Sequence, residues 1–152
     1  MTTQSPRGAA LVLVLDNEPA QALADAGHPG HQLLLAYVDA VSGRNRRRPG
    51  TAAIVVPTSV RVEALLSRRS PRASELGRLR VRDVELTQRR ADRCADLRRA
   101  AGGSATDATV AQAAEEFAVW GSKVTILTSD LTDLPRLRES ADDSKNITIR
   151  RI

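Results

Sequence analysis

Three short stretches of this chain are almost continuously apolar: Ala9–Leu15 (AALVLVL), Ala52–Val56 (AAIVV) and Val124–Leu127 (VTIL). Runs of this length, bounded by polar or turn-forming residues, predict strands buried on both faces, as in parallel sheets. The segments between them carry helical spacing. A short helix is expected around Pro19–Gly27. A longer one is expected over His31–Val41, where Leu34, Tyr37, Val38 and Val41 share a face. After Ala52–Val56, Pro57 ends the strand, and Thr58 or Ser59 can cap a helix running to about Arg69 and burying Val62, Leu65 and Leu66. Thr87–Ala101 predicts another helix, stopped by Gly102–Gly103. Ser104-Ala105-Thr106-Asp107 has capping-box spacing before a helix that places Val110, Ala113, Ala114 and Phe117 on one face and ends at Gly121.

The polar remainder fills in the connections. Residues 1–8 read as a disordered tail, and Ser42–Gly50 and Ser70–Ser74 as basic loops. Arg80–Leu86 reads as a short strand, Leu131–Arg138 as a short helix, Glu139–Lys145 as a linker and Ile147–Ile152 as an edge strand. Strands alternating with helices predict an α/β fold: one domain over residues 9–152, three α/β/α layers and a mostly parallel central sheet.

Composition narrows the chemistry. Tyr37, Phe117 and Trp120 are the only aromatic residues, so the core is aliphatic, which argues against base-stacking platforms for single-stranded nucleic acid but not against phosphate contacts. The formal charge is +5, and with Lys123 and Lys145 the only lysines, nearly all the positive charge is arginine. Arginine-rich surfaces suit a polyanion or an acidic partner, although solvated arginines on loops explain the same pattern. Cys94 is alone, which rules out an internal disulfide and fits a reducing, cytoplasmic compartment; in its helical setting it reads as a small buried hydrophobe. Arg7 precedes the apolar run Ala9–Leu15, but Asp16 and Glu18 cut that run short of an export signal. No segment is long enough to cross a membrane.

In open parallel sheets, ligands bind beyond the carboxyl ends of the strands. Asp16 directly follows the first strand, and Asp130 follows Val124–Leu127 after only Thr128 and Ser129. Glu63 falls on the helix after the second strand, beside Val60 and Leu66, which predicts a partly apolar setting. Asp107 stands in the first turn of a late helix, where the macrodipole favours negative charge. Singly, each has a structural explanation as a cap, a turn former or half of an ion pair. Together they offer the oxygen ligands that Mg²⁺ and Mn²⁺ prefer, and paired ions of this kind assist in-line phosphodiester cleavage.

The ordered set Val14-Leu15-Asp16, Val62-Glu63-Ala64-Leu65, Thr106-Asp107-Ala108 and Leu127-Thr128-Ser129-Asp130 resembles the PIN-domain family, in particular VapC-type toxin ribonucleases of toxin–antitoxin systems. The resemblance runs from about Ala10 to Ile152. It implies a metal-dependent endoribonuclease in which Asp16, Glu63, Asp107 and Asp130 bind Mg²⁺ or Mn²⁺, with Asp133 supplementing them. It also implies a homodimer and a cognate antitoxin whose tail covers the acids. Thr128 resembles the hydroxyl residue that often precedes the last acid and orients it. Asn17-Glu18-Pro19 departs from the small or hydroxyl residue that often follows the first acid, though Asn17 can still donate to a phosphate or carboxylate. The arginines of 44–48 and 68–72 are candidates for holding the RNA backbone, or else solvated loop residues. His28 and His31 read as loop polar residues.

Two other readings compete. In a haloacid-dehalogenase-like phosphatase, Asp16 would be the nucleophile, Glu18 the acid and Val124–Thr128 the hydroxyl motif. That family, however, uses an aspartate in the place of Glu18 and needs a lysine before a late acidic pair, whereas Lys145 follows Asp142 and Asp143. The other reading is a PIN fold that binds without cleaving.

Overall fold

The computed structural model describes residues 8–67 and 69–152; apart from Gly8, the expected disordered tail lies outside the described residues. The elements are β1 (Leu11–Leu15), α1 (Asn17–Ala24), α2 (His31–Arg47), β2 (Ala52–Pro57), α3 (Thr58–Glu63), α4 (Pro71–Arg78) and β3 (Arg82–Val84). They continue as α5 (Gln88–Ala101), α6 (Ala105–Val119), β4 (Lys123–Thr128), α7 (Leu134–Ser140), a 3₁₀ turn (Ser144–Asn146) and β5 (Ile147–Arg151).

All strand pairs are parallel, in the order β3-β2-β1-β4-β5. The chain therefore builds outward from β1 through β2 to β3, then returns to the other side of β1 to add β4 and β5. That reversal creates a crevice between the carboxyl ends of β1 and β4, where doubly wound sheets bind their ligands. Central β1 and β2 are buried almost throughout, as their continuous apolar sequences require.

Helix α6 lies against β1, β2, β4 and β5 and packs with α5 and α7, while α1 and α2 lie against β1, β4 and β2. The result is a three-layer α/β/α arrangement. Every residue of α6 from Ala108 to Ala118 is buried, including Glu115 and Glu116. Burying carboxylates is costly unless they are paired. Here Arg93 forms a forked pair with Glu115 (2.8 and 2.6 Å), and Arg90 does the same with Glu116 (3.2 and 2.8 Å). These pairs join α5 to α6 and so fix the helix that carries Asp107. Cys94, on the same face of α5, is buried as expected, and burial pushes its thiol up to about 11.

Three segments depart from the sequence-based expectation. The basic stretch expected as a loop from Ser42 is helical as far as Arg47. Arginine is a good helix former, and Arg44, Arg46 and Arg47 complement the negative end of α2. The Ser70–Ser74 loop is instead the start of α4: Ser70 caps it through the Arg72 amide, and Pro71 occupies its first turn. The helix expected to reach Arg69 stops at Glu63, leaving Val62 and Leu65 77% and 83% exposed and only Leu66 buried.

The early stop has a definite geometry. The Leu65 amide donates to Val62 and the Leu66 amide to Arg61, with Leu65 at φ 58°. This is a Schellman closure, in which the residue after the cap takes the left-handed conformation. Helix α4 closes the same way, with Arg80 bonded to Gly77, Val81 bonded to Leu76, and Arg80 at φ 61°. At the end of α6 the corresponding position is Gly121, at φ 95°, which adopts that conformation without strain.

Candidate active site

Asp16 leaves the end of β1 and caps α1. Its Oδ1 accepts the Asn17 amide at 2.8 Å and its Oδ2 accepts the Thr128 hydroxyl at 2.8 Å. The main chain is anchored as well, with the Asp16 amide donating to the Leu127 carbonyl at 3.0 Å. The carboxylate thus sits in the crevice between β1 and β4, only 7% exposed. Burial, the largest cause, raises its pKa above the usual carboxylate value. The hydrogen bonds from Thr128 and Asn17 oppose that rise, and the charges of Glu63 and Asp130 add to it.

Asp107 enters from α6. Ser104 caps that helix by accepting the Asp107 amide at 3.0 Å, the main-chain half of the expected capping box. The Asp107 carboxyl is half-buried, and burial raises its pKa first of all. The Asp16 charge raises it next, Ser104 lowers it, and Asp133 and Asp130 add smaller upward pushes. Asp107, on an element far from β1 in sequence, therefore lies within reach of the Asp16 charge.

Asp130 behaves differently. It is exposed, and its Oδ1 accepts both the amide (2.9 Å) and the hydroxyl (2.5 Å) of Thr132. Those two bonds hold its carboxyl below the ordinary value. Its backbone is fixed through Thr128, whose Oγ1 accepts the Asp130 amide at 3.0 Å. The Thr128 proton has two acceptors within reach, Asp16 Oδ2 at 2.8 Å and the Asp130 carbonyl at 3.1 Å. The shorter bond, to an ionised carboxylate, is the stronger. Thr128 therefore orients the first acid and the backbone of the last, rather than the last carboxylate alone.

Glu63 ends α3 and is exposed rather than set against apolar neighbours, because α3 stops there and Val62 turns out to solvent. It lines a shallow hollow with Thr58, Ser59, Val62, Leu86 and Thr106, and its charge reaches Asp16. Asp133 precedes α7, pairs with Arg136 at 3.2 Å and faces Asp107. Its approach depends on Gly103 (φ 89°): a Cβ there would lie 3.1 Å from Leu137 Cδ1 and 3.3 Å from Asp133 Cβ. Asn17 has its side-chain oxygen occupied by Gln21 Nε2 at 3.0 Å, which leaves its amide hydrogens to donate.

A pair that the sequence does not announce joins α1 to the loop that follows it. His28 Nδ1 accepts the Gly30 amide at 2.9 Å, so its Nε2 carries the proton that meets Glu18 at 2.7 Å. That bond ties the first turn of α1 to the loop before α2. The signal was available only as two polar residues ten positions apart.

The fold thus gathers Asp16, Asp107, Asp130 and Asp133 around one end of the sheet, with Glu63 at the rim. Among the described residues, no three carboxylate, imidazole or thiol groups converge at metal-ligand spacing. A hard divalent ion still fits this chemistry. Mg²⁺ keeps most of its waters and needs only one or two protein carboxylates, and no cation of the protein is among the groups that shift Asp16 or Asp107. No protein-family model matches the chain, and no curated protein matches it in sequence.

Proposed function

We propose that this protein is a metal-dependent endoribonuclease of the PIN-domain type, as the resemblance of its four acidic motifs implies. The observation that carries the reading is the join at the crevice, where Thr128 locks the buried Asp16 carboxylate within electrostatic reach of Asp107, Asp130 and Glu63. Mg²⁺ or Mn²⁺ held there would supply Lewis-acid activation of water and neutralise charge on the leaving oxygen. Asp16 and Asp107 would hold such an ion, and the Thr128 hydroxyl and the Asn17 amide, one on each oxygen, orient the Asp16 carboxyl. Asn17, with its amide hydrogens uncommitted, would position a phosphate oxygen. The same reading includes a homodimer and an antitoxin that covers the acids, through an arginine drawn by the charge that draws the metal.

The phosphatase alternative loses support. It requires a lysine beside Asp16, but Lys123 opens β4 and Lys145 lies just before β5, both at the amino-terminal edge of the parallel sheet. Glu18, its general acid, is engaged by His28.

The test is cleavage of RNA by the purified chain with Mn²⁺ and with EDTA. Metal-dependent cleavage that is lost in Asp16→Asn and Asp107→Asn is expected. Intact RNA with Mn²⁺ would favour a binding-only role, and cleavage by both variants would remove the site assignment.

A further inference from the structure

The opposite edge of the sheet holds a separate cleft of about 460 Å³. It lies between the second half of α2, the first residues of β2 and the turn from α4 into β3. At about 3.3 Å per residue, β2 places it roughly 15–20 Å from the crevice at Asp16. Val38, Val41, Ile54 and Leu79 give it an apolar floor, and Arg46, Arg80 and Arg82 stand around it.

The charge gathered at this cleft is all of one sign. Several arginines elsewhere face carboxylates, as in Arg61–Asp83, Arg78–Glu75, Arg90–Glu116 and Arg93–Glu115. The cleft lining contains no acid, and among the described residues the guanidinium groups of Arg46, Arg80 and Arg82 have no hydrogen-bond or ion-pair partner. Three guanidinium groups around one hollow, unneutralised, repel each other and attract an anion. Their planar forks match the oxygens of phosphate.

The surrounding frame is rigid. Asn45 donates to the Ala52 carbonyl at 2.9 Å and accepts the Ala52 amide at 3.0 Å, pinning α2 to the start of β2. Arg80 stands at the left-handed position of the α4 closure, where glycine would sit without strain. The cleft is thus lined by an arginine at a backbone position that costs the fold something to fill with any side chain.

We infer that this cleft binds a phosphate-bearing ligand of nucleotide size, its phosphate held by Arg46, Arg80 and Arg82 and its organic part laid on the apolar floor. A volume of about 460 Å³ lies within the range of small-molecule sites. The ligand is either a free nucleotide or the phosphorylated end of an RNA strand, and the chemistry of recognition is common to both. The site is independent of the acids at the other edge.

Calorimetric titration of the full chain in EDTA tests this, using adenosine 5′-monophosphate and a short RNA with and without a 5′-phosphate. Saturable binding is expected, weakened at least tenfold in both Arg46→Gln and Arg80→Gly and unchanged in Arg99→Gln, which removes an exposed arginine of α5 outside both sites. Arg80→Gly relieves backbone strain, so a melting temperature at or above wild type shows that its lost binding is not unfolding. Tighter binding of the phosphorylated RNA identifies a strand end as the source, and binding of the mononucleotide alone identifies a free nucleotide; either supports the site. Absence of saturable binding by all three probes, or binding that survives both arginine variants, would overturn it.

Discussion

The Thr128 hydroxyl, with no solvent exposure at the end of β4, donates to Oδ2 of Asp16 across 112 residues of chain. It joins the ends of the two strands whose separation defines the crevice, and it opposes the upward push of burial on the Asp16 carboxyl.

Replacing Thr128 by Val keeps the volume and removes the donor. The cost is expected to be about 1.5–3 kcal/mol in urea unfolding at neutral pH, the range for a hydrogen bond to a charged group. With one opposing hydrogen bond lost, the Asp16 pKa rises further, so the acid limb of any cleavage profile moves to higher pH. Thr128→Ser restores both properties. A Val variant as stable as wild type, with an unmoved profile, would show that Asp16 gains nothing from the bond.

Much of this arrangement is written in local sequence, and part of it is not. β1 and β2 could be read directly because unbroken apolar runs have few alternatives to burial, and α6 from its capping spacing and its apolar face. The placement of Asp16 and Asp107 followed from those elements. Helix α4 was also signalled, by Ser70-Pro71 at a cap and first turn, but its arginines resemble a solvated loop as readily as a helix surface. The stop at Leu65 had no local sign, since leucine is a good helix former and a poor occupant of the left-handed region. The choice of Asp16 as the partner of Thr128 is a tertiary fact that depends on sheet order.

Glu63 and Asp16 should differ in importance. Asp16 is buried and held by two hydrogen bonds, whereas Glu63 is exposed at a helix end and reaches the crevice only through its charge. With Mn²⁺ present, Asp16→Asn is expected to lower the rate of RNA cleavage at least a hundredfold and Glu63→Gln about tenfold, a difference of about 1.4 kcal/mol in the barrier. Equal losses in the two variants would mean that α3 moves to bring Glu63 inward when metal and RNA bind.

Leu65→Gly should stabilise the protein. Leu65 is 83% exposed, so little burial is lost, and at φ 58° its side chain crowds the backbone. Relief of that strain, less the greater freedom of glycine in the unfolded chain, is expected to be worth about 0.5–1 kcal/mol. Urea titration reads the difference. A destabilised variant would show that the exposed Leu65 side chain is covered by a second copy or a partner under the conditions used.

The raised carboxyls give a test that needs no substrate. Asp16 and Asp107 both have folded-state pKa values above the ordinary carboxyl value. For such groups the folded chain binds more protons than the unfolded chain. Their contribution to stability is therefore complete below the unfolded value and is lost as pH rises through the folded value. Asp130 has the opposite sign, since its lowered value favours the folded state above the unfolded pKa and is lost on acidification. In EDTA, then, the melting temperature should decline as pH climbs from about 4 through the raised values of Asp16 and Asp107. Asp107→Asn should flatten that decline and melt higher than wild type at neutral pH, because it removes a charge that repels Asp16, Asp130 and Asp133. Mn²⁺ at about a hundred times its dissociation constant should stabilise wild type by about 2.7 kcal/mol through preferential binding to the folded state. The variant should lose most of that gain. Melts across pH, with EDTA and with Mn²⁺, separate the possibilities: a variant that melts lower in EDTA and keeps the full Mn²⁺ response would make Asp107 a helix-capping residue and place the metal elsewhere.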